Sequence, residues 1–318
     1  MYKSFYGFKR GPFELSPDPY FLFRTAAHNE GFASVYYGVT QKKGFIVLTG
    51  EVGTGKTLLL RTLLQILADS NVATAYIFNP RLSADEFLRY ILYDLGIPVG
   101  DSKSKMLHDL NRFLIERHRK GLTTALIIDE AQELSGDLLE EIRLLTNLET
   151  STQKLLQIVL VGQPELDHTL DSPQLRQVKQ RIALRCQLAP LDAEQTTTYI
   201  RHRVTRAGSN VPAEQLFPAD SIALVIRYSN GIPRLINNIC ENALISAFSK
   251  QQMSVTPDLI MEAADDLCLT QDKIRKPEQA PSSNVDPQQL ISMLLRLSSK
   301  LEEEPVKNSY SGPKLSPW

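Results

Sequence analysis

Residues 50–57 read GEVGTGKT, a gap-free match to G-x-x-x-x-G-K-[ST]. These residue types suit one task, the gripping of a polyphosphate. Gly50, Gly53 and Gly55 let the backbone bend so tightly that the N–H groups of the loop, those of Glu51, Val52 and Thr54 among them, converge on one anion. Lys56 adds a mobile positive charge for the β and γ phosphates, and Thr57 offers a hydroxyl to Mg2+. The run that begins there, KTLLLRTLLQILAD, predicts a helix whose positive dipole end lies under the phosphates. The motif stands between an apolar strand candidate and that helix, which is the context its chemistry requires.

A second chemical signal is LIIDE, residues 126–130. Its apolar run delivers Asp129 and Glu130 to the carboxyl end of a buried strand, where open α/β sheets bind ligands. Two acids at a strand end are often no more than a solvated turn. Downstream of a phosphate loop, with one further strand between, they acquire roles. Asp129 is expected to hold the Mg2+ shell through water, and Glu130 to polarise the attacking water as general base. A glutamate directly after the acidic strand end favours hydrolysis over phosphoryl transfer, so a small-metabolite kinase is disfavoured. No N-K-x-D segment for guanine occurs, so ATP is preferred over GTP.

The elements that must position these residues are legible as alternating runs. Continuous apolar stretches at 44–50, 72–79, 123–130, 155–163 and 182–188 predict five strands buried on both faces, hence a parallel sheet covered by helices. Ser83 with Glu86 forms a capping box, Ser135 can cap a helix running to Leu148, and Pro164 fits a first helical position. After residue 190 the strands stop. Asp192 can cap a helix through Val204, and further helices are predicted at 218–229, 232–250 and 256–267. Residues 1–190 therefore read as an α/β domain, 191–268 as a small all-helical module, and 269–318 as a mostly disordered tail. Six of the 18 prolines fall after residue 270. Within the tail, 287–304 carries one apolar helical stripe, readable either as a helix packed on its own body or as a docking helix.

Several segments together resemble the AAA+ ATPases, in the form found in the ATPase module of the general secretion pathway A type: FYGFKRGPFELSPDPYF (5–21), GFIVLTGEVGTGKT (44–57), LIIDEAQEL (126–134), LQIVLVGQPEL (156–166), LRQVKQRI (175–182) and GIPRLIN (231–237). The resemblance covers about residues 5–268. It implies a five-stranded ATPase domain of the P-loop (ASCE) type followed by a helical lid. It also implies roles that spacing alone would not assign. Gln163 looks like the sensor 1 residue that orients water between Glu130 and the γ-phosphate. Arg234 looks like the sensor 2 arginine of the lid. Arg181, or alternatively Arg176, stands where the family carries an arginine finger reaching a neighbouring subunit. The implied active form is a ring or open spiral. The segment before the loop, with His28, Tyr36 and Tyr37, is expected on the adenine side, while core packing explains these residues nearly as well and none is assigned individually. The family's members serve secretion or pilus-type envelope machines, and related ATPases regulate transposition or initiate replication on DNA.

Composition limits the rest. The chain has 318 residues, 42% hydrophobic and 22% charged, so most of it can bury a core. Its net charge of -1 excludes a globally basic nucleic-acid coat. The basic stretch Arg176, Lys179, Arg181, Arg185, Arg201, Arg203 and Arg206 leaves a nucleic-acid contact open, though not favoured over a charged helix face. Three scattered cysteines read as reduced thiols, and no metal other than Mg2+ is indicated. No segment reads as a membrane span or wall-binding part. The expected location is therefore cytoplasmic, with any place at the inner membrane reached through a membrane-bound partner.

Overall fold

A computed structural model describes residues 1–16 and 18–269. The stripe at 287–304 and the tail that carries it lie outside the described residues.

The five apolar runs form β1 (Phe45–Gly50), β2 (Ala73–Ile77), β3 (Thr124–Ile128), β4 (Leu156–Gly162) and β5 (Ile182–Leu188). They make one parallel sheet in the order β2-β3-β4-β1-β5. Successive side chains of a strand point to opposite faces, and the two cores divide on that rule. Phe45, Val47, Leu126, Ile128, Ile158 and Leu160 face one apolar cluster, while Ile46, Leu48, Ala125, Ile127, Val159 and Val161 face another. Both clusters are helix-covered, which explains why the strands read as unbroken apolar runs.

In the first 180 residues the helices are α1 (Tyr2–Phe5), α2 (Ala26–Thr40), α3 (Lys56–Asp69), α4 (Ala84–Asp94), α5 (Lys103–Arg119), α6 (Gly136–Leu145), α7 (Pro164–Leu170) and α8 (Arg176–Lys179). Helices α2 and α3 cover one face of the sheet, and α4 to α8 cover the other. The Ser83–Glu86 capping box forms at the start of α4. Ser135 caps α6, which stops at Leu145 rather than Leu148. The Thr146 hydroxyl donates to Arg143 O at 2.6 Å and closes the last turn early.

After β5 come α9 (Ala193–Ala207), α10 (Ala213–Leu216), α11 (Ala219–Ser229), α12 (Pro233–Ser249) and α13 (Pro257–Asp266). Asp192 and Gln195 cap α9 reciprocally. These helices enclose a third core, and the N-terminal segment, grouped by sequence with residues 1–190, packs into it. Tyr6, Phe8, Phe13 and Phe21 are buried beside Ile200, Phe217 and Leu244. Lys9 N donates to Ala207 O at 2.8 Å, and Asn210 N donates to Tyr6 O at 3.0 Å. Each buried aromatic ring contributes about 2–3 kcal/mol, enough to offset the ordering of an otherwise irregular segment.

Strand β4 lies between β1 and β3. The carboxyl ends of the three strands therefore stand side by side and bring Gly50, Gln163 and the Asp129–Glu130 pair to one edge.

Candidate functional site

The loop after β1 closes on itself before it enters α3. Gly53 (φ 84°) and Gly55 (φ 100°) are left-handed, and Thr54 N donates back to Glu51 O at 3.2 Å. Gly53 is also required by close approach: a Cβ there would lie 2.6 Å from Arg234 Cβ. Lys56 opens α3 and is almost fully buried. Its Nζ donates to Gly50 O (2.8 Å) and Glu51 O (3.0 Å), so the ammonium rests on loop carbonyls. Burial lowers its pKa, while the nearby Glu130, Asp129, Glu51 and Glu165 carboxylates oppose that shift.

His28, expected on the adenine side, is instead a brace behind the loop. Its Nε2 contacts Thr54 O at 2.9 Å and its Nδ1 contacts Thr25 Oγ1 at 2.7 Å. A carbonyl can only accept, so Nε2 carries the proton and Nδ1 accepts from the hydroxyl. Burial lowers the His28 pKa, against the opposing bond to Thr54, and favours this neutral form. Tyr36 and Tyr37 are likewise absent from the wall of the cavity described below. Tyr36 packs on the sheet and stacks with Phe32, and Lys43 lies over Tyr37.

Asp129 is buried at the end of β3. Its Oδ2 accepts from the Thr57 hydroxyl (3.4 Å) and the Tyr76 hydroxyl (3.2 Å), and its Oδ1 accepts from Glu130 N (2.9 Å). A carboxylate beside a hydroxyl is a hard-oxygen donor pair, and it fits Mg2+. Glu130 adopts φ 50°, which turns its side chain back along the sheet edge. Glu130 Oε2 accepts from Gln132 Nε2 at 2.7 Å and from Gln163 Nε2 at 3.4 Å.

The helical module closes the site from above. Arg234, in the first turn of α12, donates its backbone N–H to Gly53 O at 3.2 Å. A cavity of about 310 Å³ opens between the parts. It is bordered by Gly53, Gly55, Lys56 and Thr57 of the loop, by Glu130 and Gln163 of the sheet edge, and by Arg234, Arg203 and Tyr199 of the helices. Glu14, Leu15, Ser16 and Asp18 of the N-terminal segment complete the wall.

Burial is the main cause that raises the Asp129 pKa, against the opposing Glu130 N–H bond. A carboxyl with a raised folded pKa contributes stability below its unfolded pKa, and that contribution is lost as pH rises through the folded value. At neutral pH the buried charge is therefore a cost. Asp129→Asn is expected to raise the melting temperature of the ligand-free chain by about 2 °C, the equivalent of about 1 kcal/mol in a protein of this size. Thermal unfolding at pH 7.5 and pH 4 checks this, and the gain should shrink at the lower pH. An unchanged or lowered melting temperature at pH 7.5 would contradict it.

With this geometry defined, comparison with known proteins is informative. Residues 39–170 match the family model described as an AAA domain. General secretion pathway protein A of Aeromonas hydrophila is 44% identical over 252 residues, 79% of this chain and 45% of that protein. The chain carries an AAA ATPase module. It spans about half the length of that curated relative. The fold agrees with that of solved structures. The Aeropyrum pernix ORC2 protein in its ADPNP–ADP complexes superposes with a TM-score of 0.60 at 18% identity, covering 84% of this chain and 74% of that one. The Thermotoga maritima RuvB Holliday junction branch migration motor gives 0.50 at 13% identity, covering 76% of this chain and 68% of that one.

Arg181 and Arg176 stand outside the cavity wall of this AAA module. The Arg181 guanidinium donates to the Thr146 hydroxyl and to Asn147 Oδ1 (2.7 Å), while Arg176 is exposed on α8. The basic stretch is largely committed within the chain. Lys179 pairs with Asp171 (3.0 Å), Arg185 with Asp167 (3.4 Å) and Asp171 (3.5 Å), and Arg201 with Glu214 (3.4 Å). Arg206 donates to Tyr20 O and lies over the Tyr20 ring.

Gln132 and Tyr76 gave no signal in sequence, and His28 and Arg203 gave none for the contacts they make here; all four act through residues far along the chain. Buried Arg203 donates to Pro12 O and to the Tyr199 hydroxyl (2.7 Å), and it lies over the Phe21 ring. It thereby ties the N-terminal segment to α9. Among the described residues, no helix is long and apolar enough to cross a membrane.

Proposed function

We propose that this chain is an ATP-hydrolysing switch whose cycle is completed by a second copy of itself. One observation carries the reading: Lys56, Glu130, Gln163 and Arg234, which come from four separate stretches of sequence, border a single cavity. The loop N–H groups and Lys56 hold the triphosphate. The lysine leaves the Gly50 and Glu51 carbonyls and turns to the β and γ phosphates. Thr57 and Asp129 hold Mg2+, which when bound neutralises the charge of the phosphates. Glu130 accepts a proton from the attacking water, Gln163 orients that water, and Arg234 couples the γ-phosphate to the lid.

The arginine finger is Arg181, with Arg176 as the alternative, and it acts on the nucleotide of the neighbouring subunit in a ring or open spiral. Arg181→Ala should then bind ATP normally and lose at least ~100-fold in turnover, within the range such residues supply. Mixing it with Glu130→Gln, itself inactive, should restore activity, because mixed neighbours combine an intact base with an intact finger. Phosphate release from the mixture checks this. No gain on mixing, or full activity of Arg181→Ala alone, rejects Arg181 and leads to the same test on Arg176.

The biological setting we infer is a secretion or pilus-type envelope machine, with the chain in the cytoplasm and held at the inner membrane by a membrane-bound partner. The extensive identity with a general secretion pathway protein supports this. The pairing of Lys179, Arg185 and Arg201 within the chain weighs against the alternative, a DNA-associated regulator. ATPase stimulation by a membrane fraction is the expected result. ATP-dependent, salt-sensitive binding of duplex DNA without such stimulation would transfer the reading to a DNA-associated regulator.

A further inference from the structure

The side chain of Gln132, a polar residue at the sheet edge, is used at both ends between the tips of β3 and β4. It sits in the short turn Ala131–Glu133 that follows Glu130. Gln132 Oε1 accepts the backbone N–H of Gln163 at 3.0 Å, and Gln132 Nε2 donates to Glu130 Oε2 at 2.7 Å. The orientation of the amide is dictated by its partners. A backbone N–H can only donate, so the oxygen of the amide must face Gln163 and the nitrogen must face the carboxylate.

The backbone is shaped to allow this bridge. Glu130 takes the left-handed conformation, uncommon for a residue with a Cβ, which directs its carboxylate toward the turn. Gly162 ends β4 directly beneath the bridge. A Cβ at that position would lie 2.9 Å from Gln132 Oε1 and 3.2 Å from Gln132 N, so any other residue would crowd the Gln132 amide at the end that meets Gln163. Strands β3 and β4, already paired along their backbones, are thereby also tied at the tips that carry Glu130 and Gln163.

We propose that Gln132 is a positioning residue for Glu130. It holds one carboxylate oxygen so that the other is presented to the attacking water. The proposal rests on the reading of Glu130 as the base. A glutamate side chain has three rotatable bonds, and a carboxylate that is free to turn spends little time in line with its water. Gln163 reaches the same oxygen with its own amide at 3.4 Å, a weaker contact that cannot substitute for the 2.7 Å bond.

The test is Gln132→Glu. It preserves the size of the side chain and the acceptor for Gln163 N–H, but it replaces the donor facing Glu130 with a second acceptor. Turnover at saturating ATP should fall by at least ~30-fold, the scale on which lost orientation acts. The ADP dissociation constant and the melting temperature should stay close to those of the parent chain. When Gln132→Glu is added to Glu130→Gln, turnover should fall no further, because Gln132 acts only through the carboxylate that is already gone. Wild-type turnover in Gln132→Glu would overturn the proposal. An equal additional loss in the Glu130→Gln background would overturn it too, since that is how a merely structural residue behaves. Absence of ATP hydrolysis in the unaltered chain, measured over a range of protein concentrations, would instead remove the assignment of Glu130 and Gln132 together.

Discussion

Glu130→Gln will bind ATP as the unaltered chain does, hydrolyse it about 10²–10⁴-fold more slowly and accumulate as an ATP-loaded oligomer. The argument is geometric. Glu130 is half-buried at the cavity wall, and two amides engage its Oε2. The substitution keeps the volume and the acceptor oxygen that Gln132 addresses, and it removes only the capacity to take a proton. Nucleotide contacts made by the loop and by Lys56 are untouched, so affinity should be preserved while the chemical step is lost. Rapid-quench measurement of phosphate together with size-exclusion chromatography in ATP reads both effects. Normal turnover would refute the base assignment. Loss of ATP affinity in parallel with turnover would show that Glu130 contributes to folding of the site rather than to chemistry.

Lys56→Ala will bind ATP at least ~100-fold more weakly, because the charge-assisted contact proposed between its ammonium and the β and γ phosphates disappears. A second effect opposes this in the ligand-free chain. Lys56 is buried, its pKa is lowered by that burial, and its ammonium is satisfied only by two loop carbonyls. Removing it leaves Gly50 O and Glu51 O without that donor but also removes a desolvated charge, so the net change in folding stability should be small. Fluorescent-nucleotide titration and thermal unfolding separate the two. Weak binding with an intact melting curve is the expected pair of results. Retained affinity would remove the lysine from the phosphate site.

The parts of the fold that were legible in sequence are those governed by local rules. The five strands could be read because both faces of the sheet are covered, so each strand is a continuous apolar run. Capping residues such as Ser83 and Asp192 place helix starts through contacts within four residues. The phosphate loop is legible for the same reason, since its chemistry lies within eight consecutive residues. What stayed hidden depends on partners distant in the chain. Nothing local in the N-terminal segment says that Tyr6 and Phe13 will pack beside Phe217, so the sequence grouped them with the sheet. The place of His28 was not legible because its partner is a backbone carbonyl, Thr54 O, and every residue has one. The arginines from 176 to 206 read as a basic face until folding set Asp167, Asp171 and Glu214 against them. Gln132 could not be distinguished from any polar turn residue until β3 and β4 were brought side by side.

In the function proposed above, one cavity grips a triphosphate with Mg2+ through the loop 50–57 and Asp129. Calorimetric titration of the full chain with a non-hydrolysable ATP analogue, with and without Mg2+, tests this. Saturable heat at one nucleotide per chain, markedly tighter with Mg2+, is the expected result. No heat from well-folded protein in the presence of Mg2+ would contradict it.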